Sequence, residues 1–267
     1  MPAAAESLPP ARALRRRVSP LLGTFVEISL DGECPDSFFA AAFAELRALE
    51  RVFNFHDPES ELSRMNRSAG ESTHHCSPEM RRLLAECEAL FAASEGLFDP
   101  AAPASLPGRS FRDVLIDGDR ARLSAGTTLN FNGVAKGFLV DVACDLLLAR
   151  GARTVVVNAG GDLRREGDGV TPVWVRDPAS PGTMVPFGEL KSGAVATSAG
   201  YFLEDAPQLP YVDPRSGRAA DAMPSVTVAA PLCVHADALT KLALFGGAEH
   251  SALERFGARA FVLSASP

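Results

Sequence analysis

The sequence predicts an α+β fold, and three observations carry that prediction. Helical and strand-like segments do not alternate strictly, so a doubly wound parallel sheet fits poorly. Residues 129–162 read as a loop, a helix and a strand in succession. The chain beyond them is rich in short strands, with no internal repeat at a fixed period and no low-complexity linker.

Residues 129–162 are the segment around which the rest is organised. Asn130-Phe131-Asn132-Gly133 suits a polar turn. Phe138, Leu139, Val142, Leu146 and Ala149 recur at helical spacing, and Gly151 stands where a glycine ends a helix. The β-branched run 154–157 is expected as a buried strand that ends in Asn158-Ala159-Gly160-Gly161-Asp162. Bare backbone N–H groups are expected near the surface around residues 133–137, beside Lys136, and at Gly160-Gly161. Both places suit a phosphate. The glycines equally suit tight turns with no ligand.

The other elements follow in order. Phe25, Glu27 and Ser29 alternate with Val26, Ile28 and Leu30, as in a strand. Asp36 or Ser37 caps a helix to about residue 53, with Phe39, Phe43, Leu46 and Leu49 on one face. Ser60 is placed to cap a short helical turn. Ser77, with Pro78 at the first helical position, opens a helix carrying Met80, Leu83, Leu84, Cys87, Leu90 and Phe91, which closes at Gly96. A Pro-rich loop covers 101–110, and strands at 111–116 and 121–123 flank an Asp117-Gly118-Asp119 turn. Residues 172–175 read as a strand and 177–182 as a loop. Residues 193–201 are small enough for a ligand to approach the backbone. Strands are expected from Tyr211 and at 225–229 and 260–263, with a last helix over 234–244.

Composition narrows the function. At 267 residues the chain can bury a substantial core; residues 1–17 are expected as a disordered tail and 18–267 as one domain. A net charge of -7, with no basic stripe beyond Arg12–Arg17, argues against nucleic acid as the main partner. The five cysteines form no CxxC and no even framework, so reduced thiols and a cytoplasmic setting are expected. No secretory signal or lipid-attachment cysteine is read, and no apolar run approaches the ~20 residues of a membrane span.

Chemistry is sparse. Asp237 and Thr240 lie three apart on the last helix, so their oxygens share a face that a hard cation such as Mg2+ can use, with phosphate oxygens and water completing its shell. Alternatively Asp237 only favours the helix N-terminus electrostatically. Lys241, one residue on, would attract phosphate and repel a metal. His74-His75 beside Cys76 is a weak metal candidate, set against a solvated loop.

Nine segments arrive in a familiar order: LLGTFVEISL, FHDPESELSRMN, GLFDP, LNFNGVAKGFLVD, VNAGGDLRREG, AVATSAGY, YVDPRSGR, SVTVAA and ADALTK. From about residue 22 to 247 the chain resembles the FAD:protein FMN transferase family, the ApbE family. The resemblance implies a T-fold-like α+β enzyme that uses Mg2+, cleaves FAD as its substrate, and attaches FMN through a phosphoester to a threonine of an acceptor protein, releasing AMP. By position it implies that Leu22, His56, Leu97, Phe98, Asp99, Asn132, Phe138 and Val212 line the FAD site, and Lys136, Gly160 and Gly161, read above as suited to a phosphate, are expected to bind it with them. It also implies that the Ala135 carbonyl and Asp237, with Thr240, hold the metal, and that Asp237 and Thr240 serve catalysis.

The chain departs from the family pattern in several places. Leu22 replaces a methionine and His56 a tyrosine, although an imidazole still stacks on a ring. Pro210 stands where a histidine is usual, and Ser198-Ala199-Gly200 where Ser-Gly is usual. Lys241 holds the place of a threonine four residues after the aspartate. Thr240 keeps a hydroxyl, but about 100° away around the helix. Lys241 is therefore expected to point away from the metal or to lie along a phosphate. Two alternatives to transfer stay open: an FAD carrier, and a Mg2+-dependent pyrophosphatase giving FMN and AMP.

Overall fold

Seven antiparallel strands form the main sheet, and two helices cross over one of its faces. The computed structural model describes residues 14–102, 104–200, 211–219 and 224–263. In chain order the first elements are β1 (Leu14–Leu21), β2 (Thr24–Asp31), α1 (Asp36–Phe53), α2 (Glu61–Arg67), β3 (His74–His75) and α3 (Pro78–Ala93). After a 3-10 turn at Phe111–Asp113 come β4 (Val114–Asp117), β5 (Arg120–Leu123), α4 (Ala135–Ala149), β6 (Val155–Ala159) and β7 (Asp162–Glu166). The rest comprises β8 (Thr171–Asp177), β9 (Ser180–Leu190), β10 (Gly193–Ser198), β11 (Val212–Asp213), β12 (Arg218–Ala219), β13 (Ser225–Ala230), α5 (Cys233–Gly246), α6 (Ser251–Arg255) and β14 (Arg259–Leu263).

The main sheet runs β1-β2-β6-β7-β10-β13-β14, with every neighbouring pair antiparallel. Alternation decides which face meets the helices. Val26, Ile28 and Leu30 of β2, Val155, Val157 and Ala159 of β6, and Ala194 and Ala196 of β10 are buried in the core. α4 packs on β6 and β7, α5 packs on β10 and β13, and α1 packs on α4. A three-stranded sheet, β3-β5-β4, sits with α2, and the β8–β9 ribbon reaches β14 through Phe187 and Phe261, 5.0 Å apart edge to face.

Local chemistry explains several boundaries. Ser60 and Ser77 accept backbone N–H groups from Ser63 and Met80, as caps do, and Pro78 occupies the first turn of α3. α5 has no cap of its own. Asp141, on α4, instead accepts the N–H groups of Cys233 at 2.9 Å and Val234 at 2.8 Å, and is itself paired with Arg164 at 3.1 Å. The two helices are thus fastened where α5 begins.

Three expectations need correction. The expected disordered tail does not extend through residue 17, because residues 14–17 belong to β1, paired with β2, and Arg15 and Arg17 bond Asp36. Residues 177–182 do not form a loop. Asp177 accepts the Ala179 N–H, closing a turn tight enough that β9 starts at Ser180. Residues 111–113 are a 3-10 turn, since Ser110 and Asp113 form a reciprocal capping box there. Residues 193–198, read as small enough for a ligand to approach, are a central strand whose small side chains pack beneath α5. Tyr201 and Pro210 lie outside the described residues.

Candidate active site

At the crossing of α4 and α5 the chain gathers four charges. α4 and α5 approach so closely at Gly137 that a Cβ there would lie 2.3 Å from the Cys233 carbonyl oxygen and 2.8 Å from Asp237 Cβ. This contact presents the Gly137 N–H to Asp237 Oδ2 at 3.1 Å. Lys241, one turn along α5, bonds Asp237 Oδ1 and the Asp237 carbonyl oxygen, the latter at 3.0 Å. Beside them Lys136 Nζ lies 3.3 Å from Asp162 Oδ2 at the start of β7. Tyr211 is within electrostatic reach of both lysines.

The cluster sets two lysines against two aspartates, so their charges balance once both carboxyl groups are ionised. Burial works against the charge of Asp237, but Lys241, then Lys136, outweigh it and hold its carboxyl below the usual range. For Asp162, burial and then the neighbouring Asp237 prevail over the lysines and push its pKa up to about 7. Burial also opposes both ammoniums, yet Asp162 and Asp237 raise Lys136, and Asp237 raises Lys241. The carboxylates are almost wholly enclosed, whereas the Lys136 and Lys241 side chains keep 32% and 15% of their exposure. The surface that the cluster leaves open is therefore mostly lysine side chain.

The residues expected to hold Mg2+ do not fit it. Ala135 opens α4 two residues before Gly137, but the two carboxylate oxygens of Asp237 are already engaged, one by an ammonium. Thr240 donates to the Asp237 carbonyl oxygen at 2.7 Å and shares a 2.6 Å bond with Ser198, which fixes its hydroxyl between α5 and β10. Placing a dication about 4 Å from an ammonium costs roughly 8 kcal/mol even with an effective dielectric constant near 20. Of the two places expected for Lys241 from sequence, it does not take the one pointing away. It sits on the aspartate. Among the described residues no group of three or more His, Cys, Asp or Glu side chains is placed to hold a metal. His74 pairs with Glu61 and His75 with Asp119.

Of the residues expected to line an FAD site, some gather at this end of the sheet. Leu22, in a left-handed conformation (φ 57°), forms the β1–β2 turn with its N–H on Glu50 Oε1. Gly160 packs against that turn, since a Cβ on it would lie 2.6 Å from Thr24 Oγ1. The Gly161 N–H is taken by Asn158 Oδ1 at 2.9 Å, which closes the tight turn between β6 and β7. Asn132 is exposed in the loop before α4, and Val212 is half-buried beside Tyr211.

Others are withdrawn from solvent. Phe138 is 3% exposed, edge-on to Phe53 at 5.7 Å, with Arg82 over its ring. Phe98 is 4% exposed, Leu97 packs near Gly246, and Asp99 accepts the N–H groups of Ala101 and Phe111. These side chains complete the core and a turn. His56 is exposed beside a cavity of about 290 Å3 lined also by Phe55, Pro58, Ser63, Asn66, Arg67 and Thr128. Sequence reading missed Asp162 and Asp141, each an acidic residue whose partner lies on a distant element.

An antiparallel sheet crossed by two helices, with a buried charge cluster where they meet, defines an α+β protein of one recognisable architecture. The chain belongs to the ApbE family, whose profile matches residues 22–106 and 104–260. A relative from Rhodobacter capsulatus, an FAD:protein FMN transferase, is 29% identical over 247 residues, covering 78% of this chain; this chain spans only 47% of that relative's length. Among solved structures, the apo form of Pseudomonas stutzeri flavinyl transferase ApbE superposes with a TM-score of 0.80 at 24% identity, over 94% of this chain and 90% of that one. The flavin transferase ApbE from Vibrio cholerae gives 0.78 at 19%, over 95% and 98%. These likenesses establish the fold. Among the described residues no helix is long and apolar enough to cross a membrane.

Proposed function

We propose that this protein cleaves FAD and transfers its FMN moiety to a threonine hydroxyl of an acceptor protein, releasing AMP. The observation that carries the reading is the pairing of Lys136 and Lys241 over Asp162 and Asp237, within the very motifs that carry the family resemblance. Family membership and the activity named for the R. capsulatus relative support it. In the reaction the threonine oxygen bonds the FMN-side phosphorus. The anhydride P–O bond breaks with its electron pair staying on AMP, and the hydroxyl proton is released. Negative charge builds on the pyrophosphate oxygens as that bond breaks, and fixed ammoniums beside it lower the barrier without reorganising. Magnesium receives no step here, since Asp237 offers it no free oxygen.

The test is to incubate the protein with FAD and a candidate acceptor, follow AMP by chromatography and weigh the acceptor. One FMN added at a threonine, with matching AMP, is the expected result. FMN and AMP with an unmodified acceptor would make the protein a pyrophosphatase. Bound but intact FAD would make it a carrier.

A further inference from the structure

We infer that the Lys241 ammonium is a built-in replacement for a divalent cation, so that this protein binds and cleaves the FAD pyrophosphate without a metal. The inference rests on the FAD-cleaving reading above and deepens it. Its first support is place. Lys241 Nζ holds both Asp237 Oδ1 and the Asp237 carbonyl oxygen, the positions from which an aspartate would present a cation to a ligand. Its second is access. The lysine stem passes the loop before α4 so closely that a Cβ on Gly133 would lie 3.4 Å from Lys241 Cε, and the side chain ends at the cluster while keeping part of its surface open to solvent.

The third support is charge. With Lys136 on Asp162 and Lys241 on Asp237 both carboxylates are already compensated, and a dication added there would face two ammoniums. Thr240, the oxygen that a metal would need nearby, is committed to Ser198 and to its own helix. A lysine cannot leave the site when a chelator is added, nor exchange with other ions. Metal independence is the property that separates this arrangement from a magnesium site.

The experiment uses the full-length protein treated with EDTA and compared with and without added Mg2+, together with Lys241→Thr. Binding of Mn2+ is read by electron paramagnetic resonance, FAD affinity by flavin fluorescence, and cleavage by AMP release. The native protein should bind no Mn2+ at its FAD site, and its FAD affinity and cleavage rate should change less than twofold between EDTA and Mg2+. Lys241→Thr should lose at least tenfold in both under EDTA, regain them with Mg2+, and bind Mn2+. A tenfold or larger gain in native FAD affinity or cleavage on adding Mg2+, or saturable Mn2+ binding competing with Mg2+ in the native protein, overturns the inference. The native arms stand even should the variant fold poorly. If FAD is not cleaved under either condition the transfer reading fails, while the Mn2+ measurement still decides whether Lys241 holds the cation's place.

Discussion

A methyl group on Gly137 would occupy space already filled by the Cys233 carbonyl oxygen, 2.3 Å away, which is backbone and cannot swing aside. Gly137→Ala should therefore push α4 from α5 and lower stability by about 3 kcal/mol, read by urea unfolding, with the Asp237–Gly137 bond lost. An unchanged midpoint would mean the helices slide freely, against the contact described. Asp162 gives a prediction in pH. Its pKa in the folded chain, about 7, lies above its ordinary value of 3.8. The stability it contributes is therefore fully present below that ordinary value and is lost as pH rises through about 7. Asp162→Asn should flatten this arm, so native and variant unfolding energies should converge or cross between about pH 4 and 7, by an amount on the order of a few kcal/mol. Parallel curves would show that Asp162 titrates normally. For His56, exposed beside its cavity, His56→Ala should weaken FAD binding by roughly 0.5–1.5 kcal/mol if the ring stacks on flavin, and an unchanged titration removes it from the site. At this scale the sequence was a good guide to which motif residues gather and a poor one to what they do there. Lys136, Asp237 and Lys241 meet, but Phe98 and Phe138 turn inward, since a phenylalanine beside a glycine-rich turn reads alike whether it faces a ligand or the core.

Elements with local signatures were legible, and elements made by distant partners were not. The caps Ser60 and Ser77 announce α2 and α3, and apolar spacing announces α1 and α4. β7 escapes because Asp-Leu-Arg-Arg-Glu alternates nothing apolar; its arginines are buried through ion pairs and carbonyl bonds that only the fold supplies. The start of α5 is the clearest case. Its cap, Asp141, is 92 residues upstream of Cys233, beyond the reach of any local pattern. Asp141→Ala should leave two helix N–H groups and the Arg164 guanidinium without their shared buried acceptor. A loss of about 3–5 kcal/mol is expected in chemical denaturation, with hydrogen exchange accelerated first at Cys233 and Val234. A loss below about 1 kcal/mol would show that Asp145 and Glu166, which also pair with Arg164, take over.

Across the whole molecule the five thiols report how the core opens. They sit on different elements: Cys34 follows β2, Cys76 precedes α3, Cys87 lies in α3, Cys144 in α4, and Cys233 opens α5. All are buried and unpaired. Burial pushes the Cys34 and Cys76 thiols up to about 11 and Cys144 up to about 12, and raises Cys87 and Cys233 as well. Because the thiolate is the reactive form, a disulfide reagent at pH 8 meets thiols that are both enclosed and protonated. The native protein should therefore label slowly, and all five thiols should react at once in denaturant. Order within the slow phase carries the information. Cys34 and Cys76 lie near surface turns and should react through local opening, whereas Cys87, Cys144 and Cys233 lie between packed helices and need the crossing of α4 and α5, or the helix beside it, to separate. FAD bound at that crossing should slow Cys144 and Cys233 by mass action while leaving Cys34 unchanged. Rapid labelling of Cys233 in the native protein would mean that the N-terminus of α5 opens readily, and the fastening by Asp141 would then be too weak to hold the charge cluster in register.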